Sequence, residues 1–101
     1  MNEISKVSQI TAEDLWEYIN PSEDMDSDSE QTLNNLLGIA KAFISSYTGR
    51  KQEELDNYQD FVIVALVLCQ DMYDNRTLYV DKGNLNKVVE SILGLHSVNL
   101  L

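Results

Sequence analysis

Apolar residues recur at three- and four-residue steps through two long stretches of the chain, and these set its architecture. In the first, Leu33, Leu36, Leu37, Ala40, Phe43, Ile44 and Tyr47 fall within an arc of about 120° on a helical wheel. Asp28 or Ser29 is placed to cap its start. Gly49, after the weak helix former Thr48, stands where a left-handed C-cap residue is expected. The second stretch holds nine consecutive apolar residues, Phe61 to Cys69, rich in β-branched side chains that would also suit a buried strand. Length decides for a helix, because Tyr58, Phe61, Val62, Ala65, Leu66, Cys69, Met72 and Tyr73 keep helical spacing beyond the run at both ends. Asp56 can cap this helix, which runs to about Asn75.

Two weaker patterns flank these. Thr11 reads as the N-cap of a short helix to Ile19 that presents Leu15, Tyr18 and Ile19 on one side, and Asn20-Pro21 stops it. From Ser22 to Glu30, acids alternate with serines without an apolar anchor, which predicts a solvated loop. Arg76 to Asn84 reads as a loop or short extended segment. Asn84 or Asn86 can start a last helix with Leu85, Val88, Val89, Ile92 and Leu93 inward, ended by Gly94. The expectation is an all-α fold in one domain, residues 1–101, built as a small bundle of about four helices around the long apolar third one. Leu37, Ile44, Phe61, Ala65, Leu66 and Cys69 are its predicted core, and residues 1–9 and 96–101 are expected to be flexible.

The outward faces of the two long helices are unusual. Opposite the first stripe lie Asn34, Gly38, Ala42, Ser45 and Ser46, where a solvated helix ordinarily carries Glu and Lys. Such a face is either a tolerated exposed one or a seat for a helix from a neighbouring subunit. On the third helix Gln59, Asp60, Gln70, Asp71 and Asp74 gather on one side, yet Ile63 and Val67 project from its middle, as a small contact patch would.

Charge narrows the partners. A formal net charge of −10 with seven Lys and Arg argues against binding nucleic acid by neutralising phosphates. The single cysteine rules out an internal disulfide and a thiolate metal cluster, and its place in the apolar run marks a core residue. The first residues do not pattern as a signal peptide and the longest apolar run is nine residues, so a cytoplasmic product without a membrane span is expected.

Little catalytic chemistry is offered. Asp24, Asp26 and Asp28 have the spacing of the first ligands of a calcium loop, but Ser29 replaces the turn glycine and Asn35 the bidentate glutamate. Glu53 with Glu54, and Asp71 with Asp74, read as solvated pairs, and His96 stands alone. Asn75-Arg76-Thr77 is a chance glycosylation match. No residue is assigned to catalysis, a cofactor or a metal, and the chain is expected not to be an enzyme.

The order of several short motifs carries a resemblance. Ile10-Thr11 with Leu15, Tyr18 and Ile19 is followed by an acidic loop and by a helix carrying Leu33, Leu37, Ala40 and Ile44. Then come Tyr47-Thr48-Gly49-Arg50, a long apolar helix, and Tyr73-Asp74-Asn75-Arg76 at its end. Over roughly Ile10 to Leu95 this resembles the small head–tail connector, or head-completion adaptor, proteins of tailed phages. The resemblance implies a structural virion protein whose subunits form a ring, commonly of about a dozen, beneath the portal. Such a ring extends the channel through which DNA leaves and is where the tail or stopper protein attaches. It also implies that DNA only passes through, and that the protein resides in the host cytoplasm during assembly and then at the head–tail junction of the virion. An acidic subunit suits such a bore, since it repels phosphates rather than holding them. The candidate subunit or partner contacts are Gly38, Ala42, Ser46, Arg50, Ile63, Val67, Asn75, Arg76, Leu100 and Leu101. The alternative is a small acidic helical regulator or antitoxin-like module that dimerises and binds one protein partner. A carrier protein fits less well, because Ser27 and Ser29 are followed by Asp and Glu rather than Leu or Met.

Overall fold

Four α-helices carry the fold in a computed structural model that describes residues 4–98: α1 Ala12–Ile19, α2 Ser27–Thr48, α3 Asp60–Asn75 and α4 Lys87–His96. Short 3-10 turns at Val7–Gln9, Gln52–Asn57 and Lys82–Asn84 connect or precede them, and the described residues contain no strand. The protein is thus a small all-α bundle. The packing of α2 on α3 is its most extensive contact, and α1 and α4 each cover part of both. Leu33, Leu36, Leu37, Ala40 and Ile44 of α2 meet Phe61, Val64, Ala65, Leu66, Cys69 and Met72 of α3 in the core. All six predicted core residues are buried, Leu37 with 6% of its surface exposed and the other five with none. The run Val62 to Leu68 is helical.

Several boundaries differ from expectation. In α1 the buried side chains are Ala12, Leu15 and Trp16, whereas Tyr18 is exposed. The stripe is 12, 15, 16 and 19, and Tyr18 sits about 110° from its centre. Trp16 keeps its polar edge satisfied by donating Nε1–H to the carbonyl of Glu23 at 2.6 Å and packs edge-on against Tyr73. Thr11 does cap α1, its hydroxyl accepting from the Asp14 N–H while the Asp14 carboxylate accepts from the Thr11 N–H.

The acidic loop is shorter than predicted. Asp26, not Asp28 or Ser29, caps α2, accepting from the Ser29 N–H at 2.7 Å. Met25, packed against the core, fixes the chain's entry just before it. At the other end Gly49 is left-handed, with φ 74°, and its N–H returns to the Ser45 carbonyl.

Asp56 does not cap α3. Its carboxylate accepts from the Ser8 N–H at 3.0 Å and the Ser8 hydroxyl at 2.6 Å, tying the N-terminal segment down. Residues 52–57 coil as a 3-10 turn that buries Leu55, which delays α3 to Asp60. Α left-handed Arg76, φ 57°, closes α3.

In α4, Asn86 is the cap and Val89 and Leu93 are buried, but Val88 is exposed rather than inward. Gly94 does not end the helix. Its backbone is not left-handed, and the helix runs on to His96, where the Ser97 hydroxyl donates to the Leu93 carbonyl at 2.6 Å. Both described ends make contacts with the rest of the fold. Val7 and Ile10 are buried, and the Val98 N–H donates to the Thr48 carbonyl at 2.8 Å.

Candidate interaction surface

The 22 residues of α2 bury one stripe, and the opposite side projects Gly38, Ala42 and Ser46, all exposed. A Cβ added at Gly38 would meet nothing within 4 Å. These three positions, spaced by four residues, form one continuous strip with little side-chain relief, so another backbone can approach closely. Ile63 on α3 is 48% exposed, but Val67 is half-buried and packs against the core. The apolar patch expected on that face is therefore mostly Ile63, which borders an open cleft with Tyr58, Asp60 and His96.

Arg50 is engaged within the subunit. Its Nε donates to the His96 carbonyl at 2.7 Å, its guanidinium lies 4.7 Å above the Tyr58 ring, and it pairs with Glu54 at 3.6 Å. A cation at the last carbonyls of a helix is favoured by the helix dipole, and Arg50 here serves the end of α4. The His96 ring lies between Tyr58 and Phe61, with centroids 4.5 and 5.1 Å away, and its Nε2 is 2.8 Å from the Asp60 carboxylate. Arg50, Tyr58, Asp60, Phe61 and His96 together form a latch that fixes the end of α4 against the Tyr47-to-Arg50 corner. Its one signal along the chain is the placement of two lone polar groups, Arg50 and His96, near helix ends.

Asn75 and Arg76 lie at the far end of α3, roughly 20 Å from Ile63 at 1.5 Å per residue. Both are exposed, with the Arg76 guanidinium 5.6 Å from the Tyr73 ring. The contact candidates thus divide among a strip on α2, the latch end of α3 and its opposite end. Leu100 and Leu101 lie outside the described residues. Exposed apolar side chains that the sequence reading did not single out are Leu78, Tyr79 and Leu95, at 70, 62 and 75% exposure.

Among the described residues no group of three or more His, Cys, Asp or Glu is placed to hold a metal. Burial pushes the Cys69 thiol up to about 12, which removes its nucleophilicity at neutral pH. Asp26 serves as a helix cap rather than as part of an ion loop. No described helix is long and apolar enough to cross a membrane. Comparison with protein-family models, curated proteins and solved structures finds no match to this chain.

Proposed function

We propose that the protein is a head–tail connector subunit of a tailed phage or prophage, assembling as a ring under the portal and extending the DNA channel to the tail or stopper protein. One observation carries the reading. The motif Tyr47-Thr48-Gly49-Arg50 forms a corner, with Gly49 left-handed, that leads through a 3-10 turn into a buried apolar helix ending at the left-handed Arg76. That is the order of elements on which the resemblance to connectors rests. The strip of Gly38, Ala42 and Ser46, with Ile63 on α3, supplies surface of the kind that subunit packing uses. The net charge of −10 suits a channel wall past which DNA slides.

The test is assembly on a portal. Purified protein mixed with the portal protein encoded in the same genome should co-sediment with it and add a ring of density on its tail-facing side in electron micrographs. Deleting the gene should leave packaged heads that fail to join tails. Portals that bind nothing, together with normal tail joining in the deletion, would overturn the reading.

A further inference from the structure

A cavity of about 300 Å³ opens between the second half of α3 and the segment that follows it. Its floor is apolar: Leu68 and Met72 are buried, and Val80 and Leu85 pack against the core beside them. Its rim is anionic, with Asp71 on one side and Asp81 on the other, and the exposed Tyr79 also lines it. Asp81 is held in place by Asn84, whose Nδ2 donates to it at 2.9 Å. Asp71 has no basic partner among the described residues. Partial burial and the neighbouring Asp74 hold its carboxyl above the ordinary value, so its charge is poorly compensated. The last turn of α3 adds the negative end of a 16-residue helix, whose C-cap Arg76 lies against the Tyr73 ring.

We propose that this cavity is a socket for one arginine or lysine side chain presented by a different protein. The match is one of shape and charge together. An alkyl stem fits over Leu68, Met72, Val80 and Leu85, while a guanidinium or ammonium head reaches Asp71 and Asp81 and can lie against the Tyr79 ring. A bare divalent cation is a poor occupant, since it needs six or more oxygen ligands and would gain nothing from an apolar floor. A second copy is also disfavoured, because it brings a further charge of −10. The inference stands independently of the connector reading, since it fixes only the chemistry of the partner's side chain.

Two peptides test it, acetyl-Gly-Leu-Arg-Leu-Gly-amide and the same sequence with neutral citrulline, each titrated into the isotope-labelled protein with amide shifts recorded. The arginine peptide should give saturable shifts confined to residues 68–85, and the citrulline peptide should not. Asp71→Asn combined with Asp81→Asn should weaken the arginine peptide at least about tenfold. Asp24→Asn with Asp28→Asn, the same change in charge on another face, should leave it within about twofold. Unchanged amide positions away from the substituted residues establish that the variants fold. No saturable shift, equal binding of citrulline, or an equal loss in the control pair would overturn the proposal. So would self-association that only the Asp71 and Asp81 variant abolishes, which would assign the socket to a second copy.

Discussion

Single carboxylates here work in opposite directions. Asp56 accepts two hydrogen bonds from Ser8, and these hold its pKa below the ordinary 3.8. A depressed folded pKa contributes stability that is present above the unfolded value and lost as pH falls through the folded one. Asp56→Asn should therefore lower the melting temperature at pH 7, by roughly 2–4 °C for about 0.5 kcal/mol at an exposed site. The gap between variant and parent should close as thermal melts are taken to below pH 3.8. Asp71 has the reverse sign, raised by burial and by Asp74. Its ionisation costs stability from pH 3.8 upward, fully so above the raised folded value. Asp71→Asn should accordingly raise the melting temperature at pH 7 by about 2 °C, with no gain in melts well below pH 3.8. A variant less stable than the parent at pH 7 would show that Asp71 has a stabilising partner.

Among the elements, α2 and α3 were legible because each repeats one apolar face over four or more turns, so an error of one residue cannot move the stripe. The left-handed Gly49 was legible for the same reason, lying just past Tyr47, the last periodic position. Short elements were not. In α1, two turns admit either 12-15-16-19 or 15-18-19, and only packing on Tyr73 selects Trp16 over Tyr18. Asp56 looks like a cap locally, and its true partner, Ser8, lies 48 residues away. The latch likewise joins residues 46 apart, so Arg50 read as a free contact residue. Two glycines separate these cases by experiment. Gly49→Ala places a Cβ at φ 74° and should cost about 1 kcal/mol, lowering the melting temperature by roughly 4–8 °C. Gly38→Ala lies in open helix and should stabilise the subunit by about 0.5–1 kcal/mol. If the α2 strip seats a neighbour, Gly38→Lys should leave circular dichroism intact and block ring formation on the portal.

For the whole molecule, the region around the 3-10 turn Gln52–Asn57 is where the distant parts of the chain are joined. Ser8 binds Asp56, Arg50 and Asp60 hold His96, and Thr48 accepts from Val98. Removing residues 96 to 101 takes away the ring between Tyr58 and Phe61 and the bonds to Arg50, Asp60 and Thr48. It should cost about 2 kcal/mol, a fall of roughly 8–16 °C followed by circular dichroism. An unchanged melting temperature would mean that the latch contributes nothing. The same geometry governs birth of the chain on the ribosome, where synthesis proceeds from the N-terminus and a domain closes only when its last segment emerges. The α2–α3 pair can form early, but the surface that receives Val89, Leu93 and His96 stays uncovered until α4 emerges. A message cut short before α4 therefore yields a helical but sticky fragment, whereas a chain that includes α4 can close over its own core.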